Sequence, residues 1–299
     1  MLVLSRRDVE ALLDLDALID ALADAHAELS RGDVSMPARI AAFAPDGLLG
    51  AMPAYLPSAG LGAKLVSLFP KNAPPVPTHQ AAIVLFDGDT GVVTAVMDGT
   101  YITAMRTAAA AALATRLLAR EDAKVLAILG TGVQGQSAQE MFPRARDFAE
   151  IRFAGRGEFE GAARGADVVH VATHSAEPVV MADWLADGVH VSSVGYNAPG
   201  SELDPAIVAR ADLICVESRD SSFAPPPGGA SELAGLDPAA VVELGELVSG
   251  RPGRGGPTEI TLYKSVGVAI QDLAAAALVL RAARERNIGL EIELEEMHA

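Results

Sequence analysis

The spacing of three glycines near the middle of the chain restricts the fold more than any other feature of the sequence. Residues 124–140 read KVLAILGTGVQGQSAQE, an apolar run that reaches Gly130, followed by Gly132 and Gly135 at G-x-G-x-x-G spacing and by a helix-like segment. Such a turn reverses the chain tightly, lets backbone N–H groups approach a pyrophosphate, and lets the helix pack closely on the strand. The pattern predicts a strand–turn–helix that binds a dinucleotide, with a packed turn that binds no ligand as the alternative.

Apolar runs after this turn predict further parallel strands. The runs VLAILG, VVHVAT, VHVSSVG and LICVE lack internal alternation, which is typical of strands that are covered on both faces. Before residue 120 the pattern differs: helical spacing over residues 5–31, a hairpin of IVLFD and VVTAVMD around GDTG, and an uninterrupted Ala-rich helix over residues 103–119. We therefore predict an α/β protein with a Rossmann-type doubly wound parallel sheet over residues 121–261. A second α+β domain is predicted from both chain ends, residues 1–120 and 262–299.

Composition and charge exclude several classes of function. The chain has 299 residues, a single cysteine (Cys215) and a net charge of −16. The negative charge disfavours nucleic acid and anionic membranes as partners. No apolar stretch is long and uncharged enough to span a membrane, and no signal-peptide cleavage site follows the N-terminus. One cysteine excludes an intrachain disulfide and is typical of a reducing compartment. We expect a cytoplasmic protein with a buried Cys215 and no metal site.

The residues after the second predicted strand bear on the choice of cofactor. The strand IRFAG ends in Gly155-Arg156-Gly157, where an NAD enzyme usually has an acidic residue for the ribose diol. Arg156 favours a 2′-phosphate and therefore NADP(H), with NAD(H) possible through Glu158; a solvated surface arginine is the alternative. Only EFEGAARG separates this point from the next strand, so the usual helix and strand are shortened. The adenine side of the site is expected to be open or bounded by a second subunit.

Seven motifs, taken in order, resemble the ornithine cyclodeaminase/μ-crystallin family. They are KLVSLFPKN, PTHQAAIVLFDGDTG, MDGTYITAMRTAAAAALATRLLA, ILGTGVQG, ADVVHVAT, SVGYNAPGSELD and KSVGVAIQD. The resemblance covers nearly the whole chain. It implies a Rossmann domain, and a second domain for substrate binding and dimerisation whose sheet forms a barrel in a homodimer. It also implies chemistry at the Cα–N bond of a small amino or imino acid.

The resemblance assigns candidate site residues. Arg39, Lys64 and Arg106 match positions that hold the substrate carboxylate, and Val266 matches one near the substrate side chain. A surface arginine, a snorkelling lysine and an exposed helix charge are the respective alternatives for the three cations. The expected cofactor contacts are Thr78, Arg106, Gly130, Thr131, Gly132, Val133, Gln134, Gly135, Arg156, Thr173, Val194 and Ser265, and the alternatives for Thr78, Thr173 and Ser265 are structural caps.

Asn197 departs from the pattern of ornithine cyclodeaminases, which carry an aspartate at the equivalent position. Cyclodeamination needs a base for the substrate ammonium, and an amide has no titratable proton in this range. A reductase needs only a carboxylate clamp, a hydride donor and a proton source such as Lys64 or water, with Asn197 orienting the imine nitrogen. The sequence thus favours reduction of a ketimine. Ornithine cyclodeaminase, an alanine-type dehydrogenase and a non-enzymatic NADP(H)-binding protein remain alternatives.

Overall fold

The computed structural model describes residues 1–195 and 200–294. The first elements are β1 (Leu2–Leu4), α1 (Arg6–Leu12), α2 (Leu15–Arg31), β2 (Ile40–Ala44), β3 (Gly47–Leu56), β4 (Gly60–Leu68), β5 (His79–Phe86) and β6 (Val93–Asp98). The chain continues with α3 (Thr100–Leu118), β7 (Val125–Leu129), α4 (Val133–Ala145), β8 (Glu150–Ala154), α5 (Phe159–Ala163), β9 (Val168–Val171), β10 (His190–Ser193), α6 (Pro205–Arg210) and β11 (Leu213–Val216). It closes with α7 (Arg219–Ser222), β12 (Val242–Glu243), α8 (Leu244–Val248), β13 (Thr261–Lys264), α9 (Ala269–Arg286) and β14 (Leu290–Glu291).

The first compact unit comprises Met1–Arg106 and the chain from Ala269 onward. Its seven-stranded sheet has the order β14-β1-β6-β5-β4-β3-β2, in which only the β1–β6 pair is parallel. Alternate residues of β3, such as Met52, Ala54 and Leu56, are buried on the face that packs against α9. The opposite face exposes large apolar side chains, among them Leu49 and Leu65.

The long helix α2 of this unit has clear start and stop signals. Asp14 caps its N-terminus by accepting hydrogen bonds from the amides of Asp16 and Ala17, and Gly32 ends it with a left-handed φ of 83°. Leu18 and Leu22, four residues apart, share the buried face. α2 packs against α9, so the two helices cover one face of the sheet together.

The second compact unit, Thr107–Val268, contains a fully parallel sheet in the order β12-β11-β13-β10-β9-β7-β8. The central strands β9 and β10 are buried at every residue, as parallel strands covered on both faces are. Cys215 is buried in β11, and burial raises the pKa of its thiol. The predicted α/β class, the parallel strands and the β5–β6 hairpin are confirmed.

The limits of the compact units differ from the boundaries expected at residues 120 and 262. The first division lies between Arg106 and Thr107, within α3, which runs from Thr100 to Leu118. The second lies after β13, since Thr261–Lys264 pairs with both β10 and β11 and so belongs to the parallel sheet. The boundary expected at residue 262 differs from this pairing, because it assigns Leu262–Lys264 of β13 to the other domain.

β8 forms one edge of the parallel sheet. It pairs with β7, and within residues 1–195 and 200–294 no strand lies on its other side. The short helix α5 is the one helix or strand in the connection from β8 to β9. None of the described helices combines the length and the apolar character that a membrane span requires.

Candidate functional site

The glycine turn connects β7 to α4, and two of its glycines are required by close contacts. Gly130 has φ +121°, and a Cβ there would lie 2.3 Å from the carbonyl oxygen of Ala172. A Cβ on Gly135 would lie 1.8 Å from the carbonyl oxygen of Gly130. The turn can therefore exist only with glycine at both positions.

Gly132 differs from these two because nothing lies within 4 Å of the position that a Cβ would take. It is the N-cap of α4, and no side chain caps the helix. Val133 is exposed at the first helical position, and the buried Oε1 atom of Gln134 has no hydrogen-bond partner among the described residues. An open helix N-terminus with available amides is suited to an anion, so this turn fits a dinucleotide pyrophosphate.

Arg156 lies after the edge strand β8 and is exposed. Its guanidinium makes no hydrogen bond or ion pair with the residues that the structure describes. The Glu158 carboxylate folds back and accepts a hydrogen bond of 3.1 Å from the amide of Gly155. At the end of this strand the basic side chain is therefore available to a ligand, whereas the acidic one is engaged with the backbone.

A buried carboxylate, Glu202, fixes the loops that follow β9 and β10. Its Oε2 accepts hydrogen bonds from the amide and the hydroxyl of Thr173, at 2.9 and 2.7 Å. Its Oε1 accepts from the hydroxyl of Ser193 and the amide of Gly195, both at 2.7 Å. Val194, between these two, donates its amide to Val171. Glu202 thus holds together the loops that contain the predicted cofactor residues Thr173 and Val194.

Lys264, at the end of β13, binds the same loop from the other side. Its ammonium donates to the carbonyl oxygen of Gly195 at 2.7 Å and to the hydroxyl of Ser193 at 3.0 Å, and it pairs with Glu232 at 3.0 Å. The side chains of Lys264 and Glu232 are both buried. Because Gly195 is bound at its amide by Glu202 and at its carbonyl by Lys264, the backbone at the end of β10 is fixed in place. Asn197, two residues further on, lies outside the described residues.

Glu217 fixes the turn between β13 and α9. One oxygen accepts from the Ser265 hydroxyl at 2.8 Å, and the other accepts from the amides of Val266 and Gly267, both at 2.8 Å. Glu217 is fully buried, and Gly267 has φ +73°. The hydroxyl of Ser265 therefore binds Glu217, and does not cap α9, which begins at Ala269.

The predicted cofactor residues of the parallel sheet lie at its carboxyl edge. Gly130 follows β7, Arg156 follows β8, Thr173 follows β9, Val194 follows β10 and Ser265 follows β13. Ligands of open α/β sheets bind outside this edge. The structure therefore brings these residues to one edge although they are far apart in the sequence.

In the first compact unit Lys64 and Arg106 meet at a carboxylate that the sequence analysis missed. Asp272, in the first turn of α9, lies with Oδ2 2.7 Å from the Lys64 Nζ and with Oδ1 3.0 Å from the Arg106 Nε. Arg106 also donates from Nη1 to the Gln271 side chain at 2.7 Å, and the Gln271 amide lies 3.0 Å from the His26 ring. Lys64 and Arg106 are buried, so neither is a snorkelling or exposed surface charge.

The pKa of Lys64 is lowered to about 8. Burial is the largest cause, because it disfavours the charged form, and the nearby charge of Arg106 acts in the same direction. Asp272 raises the pKa again through its charge and contact, and Arg39 lowers it slightly. The electrostatic effect of Arg39 on Lys64 associates Arg39 with this cluster.

Thr78 immediately precedes β5 and is half-buried. Its hydroxyl lies 3.0 Å from the His79 ring, and its carbonyl accepts from the amide of Phe69. These contacts order the start of the strand, and the role of Thr78 as a cofactor contact stays a prediction.

Four buried charged residues with positioning contacts were not found from the sequence: Glu202, Glu217, Lys264 and Asp272. Each stands in or next to an apolar or small-residue stretch, for example Glu217 after LICV and Asp272 before LAAAA. A charge in such a place must be paired, because isolated buried charges are too costly to retain. A charged residue within an apolar or small-residue stretch could therefore have been recognised from the sequence as paired, but the sequence does not identify its partner.

Comparison with known proteins identifies what the chain resembles. The family described as "Ornithine cyclodeaminase/mu-crystallin family" matches residues 1–160 and 156–287. Ketimine reductase mu-crystallin of Mus musculus is 38% identical over 256 residues, covering 78% of this chain and 80% of the mouse protein.

Two solved structures share the fold along almost the whole chain. The Thermococcus litoralis Delta(1)-pyrroline-2-carboxylate reductase in complex with NADH and L-proline superimposes with a TM-score of 0.90 at 32% identity, covering 98% of this chain and 100% of the other. An archaeal alanine dehydrogenase dimer with bound NAD superimposes with a TM-score of 0.91 at 30% identity, covering 99% of both chains.

Proposed function

Since the chain belongs to the ornithine cyclodeaminase/mu-crystallin family, we propose that it is an NAD(P)H-dependent reductase. Its substrate is a ketimine with a carboxylate on the imine carbon, most simply a cyclic imino acid. The carrying observation is the pair of buried cations, Lys64 and Arg106, that meet at Asp272. The similarity to the mouse ketimine reductase and to the T. litoralis pyrroline-2-carboxylate reductase supports the same substrate class.

The charge balance of the cluster favours an anionic ligand. Lys64 and Arg106 contribute two positive charges against the single negative charge of Asp272, and Arg39 adds a further positive field. A substrate carboxylate would offset this excess, and charge-assisted hydrogen bonds to such an anion are about twice as strong as neutral ones. We assign Lys64, Arg106 and Arg39 to the binding of the substrate carboxylate.

Lys64 also serves as a proton source in this proposal. Reduction adds a hydride to the imine carbon and leaves the nitrogen as an amine, which gains a proton if the imine was neutral. With a pKa of about 8, the Lys64 ammonium is mostly protonated at neutral pH and yet gives up its proton more readily than an ordinary lysine. Asn197 is proposed to orient the imine nitrogen, and Val266 to contact the substrate side chain.

The nucleotide-binding residues of the second unit fit a nicotinamide dinucleotide. When bound, its reduced form supplies the hydride. The open amides at Gly132 and Val133 would hold the pyrophosphate, while Thr173, Val194 and Ser265 would contact the nicotinamide half. Thr78, Thr131, Gln134 and Arg106 complete the proposed cofactor contacts.

We propose a preference for NADP(H). The exposed Arg156 guanidinium makes no hydrogen bond or ion pair with the described residues, whereas Glu158 is engaged with the amide of Gly155. A 2′-phosphate would pair with the arginine, and a ribose diol would have to compete with the backbone for the glutamate. NAD(H) is the weaker cofactor in this proposal.

We also propose a homodimer formed through the exposed apolar face of the antiparallel sheet. Leu49, Tyr55, Leu61 and Leu65 lie on that face and are each at least 38% exposed. Adjacent apolar residues exposed on one face of a sheet mark an interaction surface. The alanine dehydrogenase of the same fold is a dimer, which supports this assignment.

An alanine-type dehydrogenase is the second candidate, because the chain superimposes on the alanine dehydrogenase along 99% of its length. Ketimine reduction and the alanine-type dehydrogenase reaction would use the same residues to bind the substrate carboxylate. They differ in the source of the nitrogen, which is the imine substrate in the first and ammonia in the second. Ornithine cyclodeamination is less favoured, since the amide of Asn197 replaces the base expected there.

A substrate panel tests these proposals. The protein is incubated with pyrroline-2-carboxylate, piperideine-2-carboxylate, or pyruvate plus ammonia, each with NADPH or NADH, and the absorbance of the reduced nicotinamide is followed. Oxidation with the cyclic imines supports the reductase. Oxidation with pyruvate and ammonia alone supports the dehydrogenase, and binding of NADPH without turnover of any compound rejects both.

A further inference from the structure

We propose that Asp272 is the positioning residue of the carboxylate-binding cluster. Its two oxygens fix Lys64 and Arg106 side by side, so that both cations bind one substrate carboxylate. This inference rests on the proposed function, because it takes Lys64 and Arg106 as substrate-binding residues. Asp272 itself binds the protein's own cations and is not assigned a contact with substrate.

The geometry at Asp272 divides its carboxylate between the two cations. Oδ2 lies 2.7 Å from the Lys64 Nζ, and Oδ1 lies 3.0 Å from the Arg106 Nε. Gln271, the preceding residue, accepts from the Arg106 Nη1 at 2.7 Å. Two adjacent residues of α9 thus orient one edge of the Arg106 guanidinium, and its Nη2 takes no part in either bond.

The three groups belong to elements that are far apart in the sequence. Lys64 lies on β4, Arg106 on α3 and Asp272 on α9. Lys64 and Arg106 are almost fully buried, and Asp272 is fully buried. Two cations buried this closely repel each other, so a fixed anion between them is what allows both to stay charged. The chain supplies that anion, and Asp272 is therefore needed even before a substrate arrives.

The charges around Lys64 predict how the cluster responds to pH. Burial and Arg106 on α3 lower its pKa, Asp272 on α9 raises it, and Arg39, which precedes β2, lowers it slightly. Loss of Asp272 removes the only raising influence among these groups. The Lys64 ammonium would then lose its proton at a lower pH, and carboxylate binding would fail there too.

Ligand binding, rather than turnover, provides the main test. Pyrrole-2-carboxylate has the ring and carboxylate of a cyclic imino acid but no imine to reduce, and its affinity is measured by calorimetry between about pH 6 and about pH 10. For the wild type we expect affinity to fall as pH rises through about 8, the pKa of Lys64. For Asp272→Asn we expect at least ~10-fold weaker binding at neutral pH, since a charge-assisted hydrogen bond contributes about 1.5–3 kcal/mol. We also expect its pH midpoint to shift to lower pH.

Two further variants separate charge from position. Asp272→Glu keeps the charge but moves the oxygens by one methylene, so the pH midpoint should stay while affinity falls. Glu285→Gln removes an exposed acid of the same helix and should change neither. NADPH affinity should change less than the affinity for the pyrrole carboxylate, since Arg106 is one of many proposed cofactor contacts and the glycine turn belongs to the other compact unit.

The inference is overturned if Asp272→Asn binds pyrrole-2-carboxylate with the same affinity and the same pH midpoint as the wild type. If that variant does not fold by circular dichroism, Asp272→Glu decides, and unchanged affinity there overturns it. A wild type that binds the pyrrole carboxylate but reduces no imino acid rejects the proposed function and leaves the binding test valid. A wild type that reduces imino acids while Asp272→Asn keeps its kcat/KM at every pH rejects only the role of Asp272.

Discussion

The carboxylate of Glu217 accepts the amide hydrogen of Val266 at 2.8 Å. The same oxygen accepts the amide of Gly267, and the other oxygen accepts the Ser265 hydroxyl. One buried side chain therefore fixes a whole turn. Two residues of this turn, Ser265 and Val266, are assigned to the nicotinamide and the substrate.

Replacing Glu217 by Gln should destabilise the protein and misplace this turn. The amide side chain is isosteric but neutral, and a hydrogen bond to a charged group contributes about 1.5–3 kcal/mol. We expect the free energy of unfolding to fall by about that amount in urea titrations, with a raised KM for the imino acid. Glu177→Gln, at an exposed position of the same unit, should leave both quantities unchanged.

A methyl group on Gly135 should abolish nucleotide binding. Its Cβ would lie 1.8 Å from the carbonyl oxygen of Gly130, so the glycine turn must open or α4 must move. Overpacking of this kind costs about 1–3 kcal/mol or more. We expect Gly135→Ala to lower the melting temperature and to lose the fluorescence change on NADPH binding. Gly161→Ala, where nothing lies within 4 Å of the added atom, is the matched control and should behave as the wild type.

Replacement of Arg156 by Ala should change the choice of cofactor. If the guanidinium binds the 2′-phosphate, its loss should raise the KM for NADPH by about 10-fold or more, from the strength of one charge-assisted hydrogen bond, and leave the KM for NADH unchanged. Steady-state kinetics with both nicotinamides measure the ratio. Arg164→Ala, which removes a half-exposed arginine of the same unit, should not alter it. An equal effect of Arg156→Ala on both cofactors would contradict the proposed preference.

The two buried histidines of the parallel sheet should make the protein sensitive to acid. Burial lowers the pKa of both His170 and His190 from 6.5 to about 3. Between about pH 6.5 and about pH 3 the unfolded chain binds more protons at these residues than the folded chain, so stability falls as pH falls through this window. His190→Gln should reduce the slope of unfolding free energy against pH by up to about 1.4 kcal/mol per pH unit. An unchanged slope in chemical denaturation would show that His190 titrates normally in the folded state.

Charges on the exposed sheet face should disrupt the proposed dimer. Leu49 on β3 and Leu65 on β4 are both on this face, 49% and 38% exposed. We expect Leu49→Glu and Leu65→Glu to elute as monomers in size-exclusion chromatography with light scattering, while the wild type elutes as a dimer. Val92→Glu, in the exposed β5–β6 loop, tests whether any added surface charge has this effect. A wild-type monomer would reject the interface.

Local patterns in the sequence were sufficient for the class of fold and for the nucleotide turn. The apolar runs of β7, β9, β10 and β11 lack polar alternation, which indicates strands buried on both faces. This pattern can be recognised within each run by itself. Gly130 and Gly135 lie in a turn that has no room for a side chain at either position. The need for glycine there is also recognisable from the neighbouring sequence. The cofactor residues at the carboxyl edge follow from these two facts together with the family resemblance.

The position of β13 was not recoverable in this way. Thr261–Lys264 is a short segment shortly before a long helix, and its sequence fits either domain. Its pairing with β10 and β11 depends on strands more than 40 residues away in the chain. The neighbours of a strand in a sheet are determined by pairing with residues distant in the chain, so the strand's own sequence does not identify them.

The sequence by itself determined that Lys64 and Arg106 are cations within apolar or small-residue surroundings, and that a glycine turn separates a strand from a helix. Only the tertiary structure decided what those cations bind. Asp272 is more than 160 residues from Arg106 and meets it because α9 packs against the sheet that carries Lys64. A charge in an apolar stretch of sequence needs a partner when it is buried, and this need can be recognised from the neighbouring residues alone. The identity of the partner depends on which distant elements come into contact, so only the folded structure shows it.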